Sequence, residues 1–519
     1  MKAFMDKEFM LQSPVAQHLY HTYAADMPIC DYHCHISPKE IYENRRFENI
    51  AQVWLGGRQP DGSLAGDHYK WRVMRSNGVP EEYITGTKPD HERFQKFAEA
   101  LPMCVGNPMY HWCHLELRKY FGYQGVLNGD TAEEVWNLCN DKLQHDDSMT
   151  VRGLIEQSNV AFIGTTDDPI DDLAWHKKIK EDPSIKFTVA PSFRPDKALN
   201  IQKPGFVEYM GKLAQAVGKE KLECINCVTD ALTKRIEFFA EMGCRASDHG
   251  LDYVPYREAT KEEVNAIYQK AMAGEAVTAE ETEKYQTYVL IHLGKQYHRL
   301  NIAMQMHYNC LRGVNRKMNA LLGPDTGFDM INTAKCGGEI AALLSALNDT
   351  DECPKTIIYS LNPAMTLRSA PSSAASRTAR SRARSSTASA WVVQRPQDRH
   401  GRADVPSGQP RPAGQFRRYA DRQPQLPELH PPRLLPPHPL QPHRPVGRGR
   451  RVSQRREGSG EDRPRHLLRQ RKALLQPVKQ SRGGRYTNVQ RPPFLLSFRK
   501  KQTPRARGVS TPGLGRIFY

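Results

Sequence analysis

Two histidines two residues apart, His33 and His35 in Asp31-Tyr32-His33-Cys34-His35, carry the strongest chemical signal in the chain. On an extended strand, residues i and i+2 share a face, so these two imidazoles can ligate one divalent metal ion. Asp248-His249 and His307 each close a later apolar run, where a histidine serves equally as a packed residue, a hydrogen-bonding partner of a substrate or a ligand. Arg194, in Ser192-Phe193-Arg194-Pro195-Asp196, could clamp a carboxylate bidentately or pair with Asp196. Thr165-Thr166-Asp167-Asp168-Pro169 offers Asp168 to a polyol hydroxyl or to a ligand histidine, or simply as a helix N-cap. Asp67-His68-Tyr69-Lys70-Trp71-Arg72 concentrates more acid–base chemistry than a plain helix surface needs. Cys224-Ile225-Asn226-Cys227 is a lone CxxC without a second pair at metal-site spacing, and reads as two reduced cysteines on a helix.

These groups need a scaffold that brings distant segments together. Apolar strand-like runs occur at Ile29–His35, Val160–Pro169, Lys186–Asp196, Gly243–Gly250, Asn301–Tyr308 and Thr356–Asn362. Between them lie helical patterns, among them Thr131–Leu143, Phe206–Val217, Leu232–Met242, Lys261–Met272 and Glu339–Leu347. Strands alternating with helices imply parallel βαβ units. Each run ends in polar residues, and a (β/α)₈ barrel collects its active site at the C-terminal ends of its strands. A flavodoxin-like sheet would gather its polar loops at one switch point instead. The expected fold is therefore α/β, a TIM-type (β/α)₈ barrel, with a helical insertion at about 54–125 over its mouth.

The net charge of +17 suggests a nucleic-acid binder, but it averages two unlike regions. Residues 1–363 hold 40 Lys+Arg against 50 Asp+Glu, whereas residues 364–519 hold 34 against 7. All 11 cysteines precede residue 364, and 20 of the 37 prolines follow it. The N-terminus lacks the apolar core of a secretory leader, and no apolar run approaches the roughly 18 residues of a membrane span. Scattered cysteines in an acidic, enzyme-sized region fit reduced thiols in a cytoplasm.

The words ICDYHCH, DHYKWRVMRSNG, GNPMYHWCHLELRKYFG, GTTDDPIDDL, PSFRPDKA, GCRASDHGLD, LLGPDTGFD and KTIIYSLNP closely resemble the uronate (glucuronate) isomerases, of the amidohydrolase-type barrels, from about Phe4 to Pro363. The resemblance implies interconversion of D-glucuronate with D-fructuronate and of D-galacturonate with D-tagaturonate, by proton transfer through an enediol. It implies a divalent metal, zinc by first expectation, on His33 and His35. It places His68, Tyr69 and Arg194 in the substrate pocket, with Tyr69 or His68 moving the oxygen-bound proton, and His249 and His307 at the barrel mouth. The implied partner is a small hexuronate, with no specific nucleic acid and no membrane; a homo-oligomer stays open.

After Pro363 the resemblance stops. The family's last strand, reading Leu-Thr-Asp-Ser-Arg-Ser-Phe-Leu-Ser-Tyr and carrying a metal-binding Asp and a substrate-facing Arg, is absent from this frame. Yet Asp421 to Leu429 can be encoded so that a one-base shift reads Thr-Asp-Ser-Arg-Ser-Phe-Leu-Ser, and Val393 to Pro396 so that it reads Phe-Asn-Asp. A frameshift near Pro363/Ala364 is the expectation, leaving 1–363 as an incomplete barrel and 364–519 as an irregular Arg/Pro-rich tail. Two other functions compete: a metal-dependent hydrolase on the same barrel, and a nucleic-acid binder acting through the tail. Binuclear hydrolases usually place a Lys or a further His at middle strands, where this chain has TTDDP and SFRPD. The tail's few aromatics do not interleave with its charge as a stacking platform would.

Overall fold

The computed structural model describes residues 4–59, 62–334, 336–362 and 385–387. Seven parallel strands run in chain order: β1 Ile29–Asp31, β2 Val160–Gly164, β3 Thr188–Ala190, β4 Ala246–Leu251, β5 Ala303–Tyr308, β6 Thr356–Ser360 and β7 Ser385–Thr387. β1, β2 and β3 pair side by side, as do β4, β5, β6 and β7. Phe193 joins the two groups by parallel bridges to Asp167 and Ser247. Sequential parallel pairing of this kind is the wall of a (β/α) barrel. Among the described residues β7 and β1 do not pair. Across the interior, Gln305 donates to the Tyr32 carbonyl at 3.1 Å and accepts from the Tyr359 hydroxyl at 2.7 Å.

All six expected strands form, but shorter than their apolar runs suggest. The ladder ends where polar residues begin, so β1 stops at Asp31 and His33 and His35 lie in the loop beyond it. The expectation of an irregular chain after residue 363 is corrected at one place. Ser385–Thr387 lies parallel to β6, Thr356 opposite Ser385. The remaining tail, including the frame-shifted reading around Asp421 to Leu429, lies outside the described residues.

The outer helices include α1 His68–Ser76, α2 Ala174–Glu181, α3 Ile225–Glu241, α4 Lys261–Met272, α5 Ala279–Arg299 and α6 Gly337–Asn348. Thr260 with Glu263 and Thr278 with Glu281 form capping boxes that start α4 and α5, each cap being worth about 1 kcal/mol. Their apolar faces meet the sheet in one core that includes Phe239, Tyr268, Tyr285, Tyr297, Met304 and Leu343. A second core belongs to the insertion and runs wider than 54–125, from Ile50 to Leu154. It centres on Trp54, Trp71, Phe94 and Phe97, all essentially buried, each such side chain adding about 1.5–3 kcal/mol on burial. Gly56, at φ +57°, begins the hairpin Gly57–Arg58/Leu64–Ala65 that delivers the chain to α1; a Cβ there would sit 2.1 Å from the Ala65 carbonyl oxygen.

Candidate active site

A cavity of about 2040 Å³ opens between the C-terminal strand ends and the insertion. The barrel contributes His33, His35, Arg194, Asp248, His307 and Tyr359, and the insertion His68, Tyr69 and Arg72. Asp67 sets the last three in place: it caps α1, accepting from the Tyr69 and Lys70 amides at 2.9 and 3.2 Å, and holds the Lys70 ammonium at 2.6 Å. Both members of that ion pair are buried, so losing one would strand the other's charge at a cost of about 3–5 kcal/mol.

At the cavity floor, His33, Asp248 and His307 each present one ligand atom, all within 4.8 Å of one another. Asp248 Oδ1 accepts from His307 Nδ1 at 2.7 Å, while Oδ2 lies 3.9 Å from His33 Nδ1 and 3.1 Å from Arg194 Nη1. Burial works to raise the Asp248 pKa, but Arg194, His307 and His33 together outweigh it and hold the carboxyl well below the usual range. Burial, helped by His307 and opposed by Asp248, lowers His33 well below an ordinary imidazole. The His33 ring stands edge-on to His35 at 4.9 Å and 4.4 Å from His307, which stacks on Tyr359 at 4.1 Å. The expected pair is thus adjacent, but the triplet converges on His33, Asp248 and His307. Strict i, i+2 alternation does not extend into the loop that carries both histidines.

Arg194 Nε is bonded to Asp196 at 2.8 Å, and with Nη1 on Asp248 the guanidinium is shared between two carboxylates. Gly250 makes room for this pair, since a Cβ there would lie 2.7 Å from Arg194 Nη2 and 2.8 Å from Asp196 Oδ2. Tyr69 is ring-to-ring with His68 at 4.2 Å. Its enclosed setting raises the phenol's pKa against the opposing pull of Arg312, so Tyr69 keeps its proton at neutral pH.

Two expected residues lie elsewhere. His249 follows Asp248 on β4, so pleating turns it to the opposite face. It is fully buried, 5.6 Å ring-to-ring from Tyr297 of α5, and burial lowers its pKa to about 4. Asp168 does not line the cavity. It accepts from the Tyr209 hydroxyl at 2.7 Å and pairs with Lys197 at 3.1 Å, a loop-anchoring role.

The loop after β5, which holds the family word LLGPDTGFD, adds a residue without an expected role, Arg312. There Cys310–Leu311 pairs with Met330–Ile331, and Arg312 is held by Asp325 at 2.7 Å and Asp329 at 2.8 Å. Arg75 of α1 bonds the Thr326 carbonyl and lies 4.4 Å over the Phe328 ring, so the loop closes one side of the cavity against the insertion. The available signal was LLGPDTGFD, a glycine-rich stretch after a strand. Arg72, one turn beyond His68, also lines the cavity, exposed and without an acidic partner among the described residues.

A parallel barrel whose ionisable side chains converge at the C-terminal strand ends defines a (β/α)-barrel enzyme. The chain belongs to the glucuronate isomerase family, whose model matches residues 1–398, past Pro363 and across β7. It is 57% identical over 365 residues to the uronate isomerase of Lachnospira eligens, covering 70% of this chain and 76% of that protein. It is 51% identical over 363 residues to that of Lachnoclostridium phytofermentans, with coverage of 70% and 76%. The crystal structure of uronate isomerase from Thermotoga maritima superposes with a TM-score of 0.67 at 32% identity, over 75% of this chain and 81% of that one. Glucuronate isomerase from Caulobacter crescentus, TM-score 0.66 at 21% identity over 75% and 79%, matches in fold. Family membership decides for an isomerase over the hydrolase and nucleic-acid readings. Among the described residues no helix is long and apolar enough to cross a membrane.

Proposed function

We propose that the cavity interconverts hexuronates, D-glucuronate with D-fructuronate and D-galacturonate with D-tagaturonate, by moving a proton between C1 and C2 through an enediol. The observation that carries this reading is the convergence of His33, Asp248 and His307 beside His68 and Tyr69 in one cavity. A buried His33 Nδ1 without a hydrogen-bond partner fits a ligand role. His33, Asp248 and His307 would hold a divalent ion, zinc by first expectation, with His35 alongside. Such an ion supplies Lewis acidity that favours negative charge on the enediolate oxygen. Tyr69, protonated, donates to the sugar oxygen, and His68 beside it is the second group of the proton exchange.

Arg194 and Arg312 are each shared between two carboxylates, and Arg72, one turn beyond His68 on α1, takes the hexuronate carboxylate in this reading. Replacing Arg72 with Gln is expected to raise KM about ten-fold or more with kcat little changed, the signature of lost ground-state binding; an unchanged KM would reassign that role.

The tail belongs to the same reading. The later part of residues 364–519 reads as a displaced frame, in which the family's last-strand words with their Asp and Arg do not occur as written, and among the described residues β7 and β1 do not pair. An open barrel leaves two sheet edges exposed. The test compares the chain as written with one whose frame is restored by a single base near codon 363, each given D-glucuronate with zinc and with a chelator. Metal-dependent ketose formation is expected from the restored chain and little or none from the present one. If neither isomerises a hexuronate, the assigned reaction fails. Equal turnover by both removes the frame argument and leaves the reaction standing.

A further inference from the structure

Outside the residues that line the cavity, the lone CxxC begins α3. We propose that Cys224 and Cys227 form a redox-active dithiol that closes to a disulfide by exchange with a low-molecular-weight disulfide. Of the 11 cysteines eight are buried and Cys30 stands apart, so these two are the partly exposed cysteines placed as neighbours.

Their sulfurs lie 2.8 Å apart. Cys224 is the N-cap of a 17-residue helix, and its Sγ accepts from the Cys227 amide at 3.4 Å. A sulfur at that position receives the field of the helix N-terminus, which favours thiolate. The two thiols are also made unequal. The hydrogen bond from Cys227 lowers the Cys224 pKa and the same contact raises that of Cys227, while Lys261 adds to the lowering at Cys224. An inner thiol that donates to an outer, more acidic one is the arrangement an attacking and a resolving cysteine require.

The backbone around them is held rigidly by α4. Tyr268 donates to the Leu222 carbonyl at 2.7 Å, Gln269 donates to the Glu223 carbonyl, and Asn265 accepts from the Ile225 amide at 3.0 Å. A shallow recess bounded by Cys224, Ile225, Asn226, Lys261, Glu262 and Asn265 gives an outside disulfide access. With the sulfurs 2.8 Å apart, closing the ring brings them about 0.8 Å nearer, to the roughly 2.05 Å of a disulfide.

The exchange balances in two displacements. The Cys224 thiolate attacks one sulfur of RSSR, forming a mixed disulfide as the R–S–S–R bond breaks and RS⁻ leaves. The Cys227 thiol gives its proton to the released RS⁻, and its sulfur attacks Cys224 Sγ, breaking the mixed disulfide and expelling a second RS⁻, which is protonated from water. The dithiol loses two electrons and RSSR gains them as two RSH.

The experiment equilibrates the full chain with oxidised glutathione, blocks remaining thiols by alkylation and maps them by peptide mass. The expected result is loss of both alkylation sites in the peptide holding Cys224 and Cys227, with no retained glutathione, reversed by dithiothreitol. Cys227→Ser should trap one glutathione on Cys224, and Cys224→Ser should form neither adduct nor disulfide at comparable rate. Cys30, the exposed cysteine outside this pair, serves as a control whose modification closes no ring with Cys224 or Cys227. The proposal is overturned if both thiols stay alkylatable, or if Cys224→Ser and Cys227→Ser accumulate glutathione equally. Neither readout depends on isomerase activity.

Discussion

Two buried carboxylates, Asp248 on β4 and Asp167 just beyond β2, each lie beside a histidine near the barrel mouth, and their pKa values move in opposite directions. Asp248 has His307 at 2.7 Å and the Arg194 guanidinium at 3.1 Å. Asp167 has His176 at 3.7 Å, the Thr165 hydroxyl at 2.7 Å and the Ser192 amide at 3.2 Å, with no arginine paired to it among the described residues. Burial opposes ionisation in both. Arg194, aided by the histidines, reverses the outcome at Asp248 and holds it well below the ordinary range, whereas Asp167 is pushed up to about 7. Its neighbour His176 is lowered by burial to about 4. A permanent cation decides whether a buried carboxylate stays an anion, because a histidine can shed its charge and arginine cannot. The first cluster is thus suited to bind a metal and the second to hold β2, β3 and α2 together.

The sharpest way to break the comparison is at Asp248 itself. Asp248→Asn removes the anion that Arg194, His33 and His307 share, and should lower stability by about 3–5 kcal/mol and abolish metal uptake. Denaturant unfolding and elemental analysis check it; full metal occupancy in that variant would move the ligand role elsewhere. Arg194→Gln leaves the buried Asp248 carboxylate and the half-buried Asp196 beside it without their cation. A loss of about 3 kcal/mol is expected by the same reasoning, read as a lower denaturation midpoint at unchanged m-value.

The second cluster should answer in its pH dependence. Asp167 rises from 3.8 to about 7 on folding, so the native state binds the extra proton. Its stabilisation is full below pH 3.8 and is lost as pH rises toward about 7. His176 falls from 6.5 to about 4, so its contribution is present above 6.5 and lost as pH falls toward about 4. Between pH 4 and 6.5 the two slopes oppose each other. Asp167→Asn should therefore unmask the histidine, with stability rising from pH 4 to 6.5 by roughly 1–3 kcal/mol. His176→Gln should unmask the acid, with stability falling over pH 4 to 7. Unfolding midpoints across that range provide the check; parallel profiles for both variants and the parent would show that the two groups titrate normally.

The placement of the strands was open to sequence reading, since apolar runs punctuated by polar ends mark βαβ repeats however they twist. All six expected strands formed, and Lys261–Met272 formed over its expected residues because a Thr-x-x-Glu box signals its start. The site was legible only in part. His33, His35, His68, Tyr69, Arg194 and His307 meet in one cavity, as their positions at strand ends and in the insertion implied. Which of Asp248 and His249 faces that cavity depends on the pleat of β4, and a one-residue change of phase exchanges them. The choice between Asp167 and Asp168 depends on where the β2 ladder stops and the loop turns. Arg312 has no signal of its own in the sequence, because nothing local says that the loop after β5 folds back onto α1.

By itself, then, the chain's order of residues determined the family, the alternation of strands and helices, the helix starts and the break in composition near residue 363. These depend on local pattern and on long specific words, which need no neighbour to be read. The tertiary structure alone decided that Asp248 joins His33 and His307, that Arg194 is shared between carboxylates while Arg72 is free of acids among the described residues, and that the Asp167 pKa is raised where that of Asp248 is lowered. Those outcomes depend on distances between segments far apart in sequence and on how much water each group loses, and a few ångströms in either is enough to reverse them.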